Sequence, residues 1–144
     1  MKLIYIAGPY TAPTAFEVGE NIDAAKRTAI EVCKLNMNAF PVTPHLNTPF
    51  FEGLRDGEYF IDGTFALMSQ CHAVLLVLGQ NHTNSEGTQG EIKGAKKLGI
   101  PVFTALLDLR SWLSAEERKA PPSTPILERI RRYFQRSYSN GYEF

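Results

Sequence analysis

One carboxylate, Glu91, stands at a predicted junction between a strand and a helix. It ends the turn-rich segment NSEGTQGE, residues 84–91, which follows the most apolar run of the chain and opens a helical pattern. The dipole of a helix favours an acid in its first turn, which would account for a surface charge. The same dipole would keep Glu91 deprotonated at neutral pH, and an ionised carboxylate above a ligand crevice can attack an electrophilic carbon. The residue pattern permits both interpretations.

Two other side chains are candidates to work with Glu91. Asp62 falls in the predicted helix before the third strand. It is either a helix-surface charge or the second carboxyl that glycosidic chemistry requires. Tyr5 lies in the first predicted strand, where it either packs in the core or donates a hydrogen bond to a carboxylate.

Small residues surround Thr88 just ahead of Glu91. Gly87 and Gly90 flank it, and glycines let a backbone approach a ligand closely, while free N–H groups at a helix start suit an anion. A simple tight turn is the alternative. The segment is neither a Walker loop nor a GxGxxG motif, so it indicates neither ATP nor a dinucleotide.

The three histidines do not have the spacing of metal ligands, and we expect no metal site. His45, between two loop residues after the second predicted strand, is the histidine expected near a ligand. His72 is expected to end a helix, where a cation is favoured.

The elements that must position these residues alternate along the chain. Continuous apolar runs predict strands at 3–7, 39–44, 73–79 and 100–106, and helical spacing predicts helices at about 21–36, 58–71 and 86–99. This order predicts an α/β fold, a doubly wound (Rossmann- or flavodoxin-like) parallel sheet of four to five strands with helices on both faces. Ligands of such sheets bind beyond the carboxyl ends of the strands, so the loops after strands one, two and three should meet there.

The last third of the chain differs in pattern. We predict an α/β domain over 1–106 and a C-terminal helical extension of the same domain over 107–144. A capping-box pattern joins Ser114 to Glu117, and Thr124-Pro125 is a good start for a helix over 126–136.

Composition excludes several classes of protein. The chain has 144 residues, a formal net charge of zero and no apolar run that approaches the ~20 residues of a membrane span. Cys33 and Cys71 lack paired spacing, and no signal peptide precedes the first strand, so a cytoplasmic location is expected. The segment RIRRYFQR is basic, yet the neutral total and its helical spacing favour an amphipathic helix over nucleic-acid binding.

Four segments together resemble one known family. They are IYIAGPY, PVTPHLNTPFF, DGTFALMSQC and SEGTQGEIKGAKKLGIPVF, and they resemble the nucleoside 2-deoxyribosyltransferase superfamily over about residues 2–104, in particular its small, uncharacterised phage and bacterial branch. The resemblance implies the doubly wound fold derived above. It implies that Glu91, which ends a G-[ST]-x-x-E motif, attacks the anomeric carbon of a nucleoside or nucleotide. It also implies that Asp62 handles the proton of the departing base and that Tyr5 orients Glu91.

One position separates branches of the superfamily. Six residues before the Glu, transferases of free nucleosides carry Asp, and members that hydrolyse 5′-monophosphates carry Ser, as this chain does at Ser85. A hydroxyl can donate to a phosphate that a carboxylate would repel. The resemblance therefore implies an N-glycosidase of (deoxy)nucleoside 5′-monophosphates that needs no cofactor and forms a homodimer or higher oligomer. The alternatives are a nucleoside 2-deoxyribosyltransferase and a non-catalytic nucleotide-binding module. The expected substrate-binding residues are Gly8, Pro9, Tyr10, His45, Ser85, Gly87 and Thr88.

Overall fold

The computed structural model of the protein describes residues 1–119, 128–130 and 132. Its regular elements, in chain order, are β1 (Lys2–Ala7), α1 (Ala15–Lys34), β2 (Ala39–Val42), a 3-10 turn (Pro44–Leu46), α2 (Gly57–Ser69), β3 (Ala73–Leu76), α3 (Glu86–Lys97), β4 (Val102–Phe103) and α4 (Leu106–Lys119). None of the helices within these described residues is long and apolar enough to cross a membrane.

The four strands form one parallel sheet in the order β2-β1-β3-β4. Helices cover both of its faces, so the prediction of a doubly wound α/β fold is confirmed. From β1 the chain continues to β2 at one edge of the sheet, and from β3 it continues to β4 at the opposite edge. The carboxyl ends of β1 and β3 therefore form the switch point at which such sheets bind ligands.

Alternate residues of each strand build two separate core layers. Ile4 and Ile6 of β1 face α1 and α4, whereas Tyr5 and Ala7 face α2 and α3. Because β1 is a central strand, Tyr5 lies between β2 and β3 and is fully buried. The layer of Tyr5 also contains Met68, Cys71, Val74, Leu76 and Ala95.

The first helix begins earlier than its apolar spacing predicts. We expected a loop over 10–19 and a helix from residue 21, but α1 begins at Ala15. Thr14 caps it: the Thr14 hydroxyl accepts from the backbone N–H of Glu17, and the Glu17 carboxylate accepts from the backbone N–H of Thr14. This capping box starts the helix about two turns ahead of its first buried residue, Ile22.

The predicted capping box at Ser114 and Glu117 is wrong, because both residues lie inside the single helix α4. Glu117 accepts a hydrogen bond from the backbone N–H of Asn38 at 3.0 Å instead, and Glu116 pairs with Lys2 at 2.9 Å. These contacts anchor the end of α4 to the amino edge of the sheet. Most of the helix predicted over 126–136 falls outside the described residues.

Helix α2 is buried less than its sequence predicts. The sequence of α2 offers Ile61, Phe65, Leu67 and Met68 for the core, yet Ile61 is 56% exposed and Leu67 is exposed as well. Only Met68 is fully buried, and Phe65 packs close to α3, where a Cβ on Gly94 would come within 2.5 Å of its ring. The contact between α2 and the core is therefore narrow, and the rest of its apolar surface faces outward.

Candidate active site

The centre of the site is a hydrogen bond between the sheet and a helix. Tyr5 points from β1 towards α3, and its hydroxyl donates to Oε1 of Glu91 at 2.5 Å. The strand supplies a rigid position for the phenol, and α3 brings Glu91 to it from the sequence after β3. This short, charge-assisted contact joins two residues that are 86 positions apart in the chain.

Burial dominates the electrostatics of this pair. It raises the pKa of Glu91 to about 7, although the hydrogen bond from Tyr5 acts in the opposite direction. Burial and the neighbouring carboxylate raise the pKa of Tyr5, and a hydrogen bond with Thr64 of α2 lowers it. The phenol therefore stays protonated, whereas the carboxyl changes charge near neutral pH.

The helix dipole is not what controls Glu91. Glu91 is the sixth residue of α3, in its second turn, and the effect of the dipole falls off within the first turn. The expectation that the helix end keeps Glu91 deprotonated at neutral pH is wrong, because a pKa of about 7 leaves a large protonated fraction there. A carboxyl with this pKa is suited to proton transfer or to nucleophilic attack near pH 7.

Ser85 caps the N-terminus of α3. Its hydroxyl oxygen accepts from the backbone N–H of Thr88 at 3.3 Å and from the Thr88 hydroxyl at 2.8 Å. Both lone pairs of Ser85 are thereby used, and its own proton remains available to donate. Thr88 is buried, so its side chain holds Ser85 in place and is not presented to a ligand.

The glycines of this helix start leave open space. A Cβ on Gly87 or Gly90 would meet nothing within 4 Å. Glycine inside a helix is less stable than alanine by about 1 kcal/mol, and no packing contact compensates here. Both positions border Glu91 along the helix surface, so a ligand can approach the backbone at this point. Glu86, the first helical residue, is exposed.

The loop after β1 is packed against two neighbouring segments. A Cβ on Gly8 would come within 2.4 Å of Val77 at the end of β3, so glycine is required here by packing. His45 is buried, and its Nε2 donates to the carbonyls of Gly8 and Pro9 at 3.2 and 3.1 Å. Burial lowers the pKa of His45, which favours the neutral ring. His45 therefore shapes the loop that we predicted to bind the ligand.

Tyr10 connects the same loop to the loop after β2. Its hydroxyl accepts from the backbone N–H of Phe50 at 2.9 Å, and burial together with a hydrogen bond to Glu52 raises its pKa. The backbone carbonyl of Tyr10 accepts from the side-chain amide of Asn21. The side-chain carbonyl of Asn21 in turn accepts from the side-chain amide of Gln80 at 3.1 Å. All three predicted ligand loops therefore meet at the carboxyl edge. Sequence reasoning assigned no role to Asn21, Phe50 or Gln80, although Phe50 lies in one of the segments that carry the family resemblance.

Asp62 lies on the exposed surface of α2, and it has no hydrogen bond or ion pair within the described residues. Helices α2 and α3 both return the chain to parallel strands, so they run in the same direction. The two helices touch where Phe65 of α2 packs at Gly94 of α3. Asp62 lies three residues before Phe65, and Glu91 lies three residues before Gly94. Asp62 and Glu91 are therefore at a similar level, about 4.5 Å along the helices from that contact.

Two concavities of the described chain lie at the start of α1, and neither is lined by Tyr5 or Glu91. One has a volume of about 360 Å³ and lies between the first two turns of α1 and Phe50; the other has about 200 Å³ and lies between the loop at 11–12 and Phe50. The crevice that a nucleophilic Glu91 would need is therefore not one of these two concavities.

The described residues contain no group of three His, Cys, Asp or Glu side chains that could hold a metal ion. Two further histidines have structural roles: His82 donates from Nε2 to the carbonyl of Val77 at 2.8 Å, and Nδ1 of His72 accepts from the backbone N–H of Leu3 at 3.0 Å.

The fold and the buried pair define an α/β protein with an ionisable carboxyl at the switch point of its sheet. The chain belongs to the family described as a domain of unknown function, DUF7768, whose model matches residues 2–105. No curated protein matches it. Among solved structures it is similar to a 2-deoxyribosyltransferase from the psychrotolerant bacterium Bacillus psychrosaccharolyticus, with 18% identity, 69% of each chain covered and a TM-score of 0.49.

The pKa of Glu91 predicts how stability depends on pH. The pKa of Glu91 is about 7 in the folded protein and 4.5 when the residue is exposed to water, as in the unfolded chain. The folded protein therefore binds this proton more tightly, and the wild type loses stability as the pH rises from about 4.5 to 7. Glu91→Gln removes this loss. We expect the variant to equal the wild type near pH 4.5 and to exceed it by roughly 3 kcal/mol at pH 8 in urea unfolding. Glu58→Gln, at an exposed site of α2, is the control; an equal gain there would contradict the assignment.

Proposed function

We propose that the protein is an N-glycosidase that cleaves the bond between base and sugar in a (deoxy)nucleoside 5′-monophosphate, with Glu91 as the nucleophile. The observation that carries this proposal is the hydrogen bond from Tyr5 to Glu91 at the switch point. It supports the roles that the sequence resemblance implies for both residues. Nucleoside 2-deoxyribosyltransferase chemistry is the second candidate, since it shares the first step.

In the first step Glu91 attacks C1′ of the sugar. Tyr5 occupies Oε1, which leaves Oε2 to form the bond to C1′ through an oxocarbenium-like transition state. The bond between C1′ and the base nitrogen breaks, and its electron pair leaves with the base. Only the ionised form of Glu91 can attack, so its pKa of about 7 sets the fraction of competent enzyme.

Proton transfer completes the cycle. We assign to Asp62 the delivery of a proton to the departing base, since it is exposed and lies level with Glu91 on the neighbouring helix. Water then attacks C1′, the bond between C1′ and Glu91 breaks, and the proton of that water returns to Asp62. The net reaction consumes one water and needs no cofactor, because the sugar is itself the electrophile. In a transferase, a second base would replace the water.

Base release is the direct test. Incubation with each nucleoside monophosphate and chromatography of free base should show release that Glu91→Ala lowers by at least about 10³-fold. kcat/KM should rise with pH through about 7 as Glu91 ionises. Tyr5→Phe removes the hydrogen bond that lowers this pKa, so its profile should move to higher pH.

The same assay separates the alternatives. Base exchange between two unphosphorylated deoxynucleosides would favour the transferase. An intact nucleotide after prolonged incubation, with Glu91→Ala behaving as the wild type, would leave only a nucleotide-binding module and contradict the proposal.

We propose that Ser85 recognises the 5′-phosphate. Its proton is free to donate, and the open glycines beside it expose the first N–H groups of α3, which suit an anion. Ser85→Asp tests this role without removing the helix cap, because Asp caps helices as well as Ser.

Ser85→Asp should keep the melting temperature within about 2 °C, while KM for the monophosphate rises at least about 10-fold, because the new carboxylate repels the phosphate. Ser85→Ala is the control, since it loses the cap without adding charge. Equal KM values for the wild type and Ser85→Asp would contradict phosphate recognition at this residue.

We propose that the protein is a homodimer or higher oligomer that covers the exposed apolar side of α2. Tyr59 and Ile61 are both more than half exposed there, on the helix that packs beside α3. A net charge of zero does not oppose self-association. Light scattering should give at least twice the chain mass, and Ile61→Glu should reduce it to one chain. A monomeric wild type at micromolar concentration would contradict the proposal.

A further inference from the structure

An aromatic ring is held in an unusual backbone conformation at the carboxyl edge. Phe50 has a φ of +59°, in the left-handed region that bulky residues rarely adopt, and its side chain is 57% exposed. The backbone N–H of Phe50 donates to the hydroxyl of Tyr10, which holds the conformation. Strained residues of this kind persist where the surrounding structure maintains them, often at ligand sites.

Phe50 also lines both of the concavities at the start of α1. Together they form a groove between α1, the loop at 11–12 and the loop after β2. We call this the Phe50 groove; Phe16, which is 76% exposed, lies on the opposite wall. A volume of about 360 Å³ for its larger part is within the range of small-molecule sites.

The charged lining of the Phe50 groove is entirely acidic. Glu20 and Asp23 line its larger part, and Glu52 lines the smaller part beside Phe50. None of these three carboxylates forms an ion pair with a described residue. Ionised carboxylates only accept hydrogen bonds, so this groove suits a flat apolar ring that carries N–H donors.

We propose that the Phe50 groove binds the nucleobase and selects bases that carry an exocyclic amino group. The ring of Phe50 stacks on the base. Glu52, which is hydrogen-bonded to the Tyr10 hydroxyl, accepts from the exocyclic amino group. Adenine and cytosine offer that donor, whereas hypoxanthine and uracil present a carbonyl oxygen that a carboxylate repels. This inference rests on the proposed function, since it names the base of that substrate. The loop that follows β1 runs from Gly8 through Tyr10 to Thr11 and Ala12, which line the smaller part of the groove.

Binding of free bases tests the groove without any cleavage. In calorimetry with the full-length wild type, adenine should bind at least about 10-fold more tightly than hypoxanthine. Phe50→Leu should weaken binding of both bases about 10-fold through lost stacking. Phe40→Leu, an exposed phenylalanine of β2 outside the groove, should leave both affinities unchanged.

Glu52→Gln is the second variant, and it keeps the shape of the groove. Its amide can donate to the carbonyl of hypoxanthine as well as accept from adenine, so the ratio of the two affinities should fall towards one. Equal affinity of the wild type for both bases, no binding of either, or a Phe50→Leu variant that folds and binds like the wild type would overturn the inference. If adenine binding depends on Phe50 but no base is released from nucleotides, the groove is a base-binding site and the proposed N-glycosidase function is wrong.

Discussion

The buried hydrogen bond between Tyr5 and Glu91 is the contact on which the arrangement of the carboxyl edge depends. A carboxyl withdrawn from water is costly to ionise, and the phenol of a central strand is its partner. That partner is in place only if α3 packs tightly on the sheet. Ala95 and Ile92 pack α3 into the core layer of Tyr5, and the missing side chain at Gly94 lets α2 approach α3 at Phe65. The pKa of Glu91 is thus a property of the packing between helix and sheet.

The loops around this pair are ordered by polar contacts to backbone groups. His45 holds the carbonyls of Gly8 and Pro9, and Tyr10 holds the N–H of Phe50. Backbone groups at a strand end lack partners in the sheet, so side chains supply them. The consequence is a carboxyl edge whose loops are shaped by polar side chains, and Tyr10 and His45 both lie in the segments that carry the family resemblance.

The start of α3 combines a structural role with exposure to a ligand. Ser85 caps the helix and still retains a proton to donate, because buried Thr88 fills its lone pairs. The glycines that follow leave the backbone accessible at some cost in helix stability. The first turn of α3 therefore combines a stabilising cap with an accessible backbone. Glu91, whose pKa is about 7, follows in the second turn.

The sequence by itself determined the fold class, since continuous apolar strands alternating with helical spacing permit few arrangements other than a covered parallel sheet. It also indicated Glu91, Tyr5 and Ser85 as residues of one edge, because the ends of parallel strands meet there. It could not determine the ionisation of Glu91, since the helix dipole predicted a charged group, whereas burial against Tyr5 raised the pKa to about 7. The strained Phe50, the acidic groove beside it and the exposed side of α2 were likewise decided by the tertiary structure, because each depends on contacts between segments that are distant in the chain.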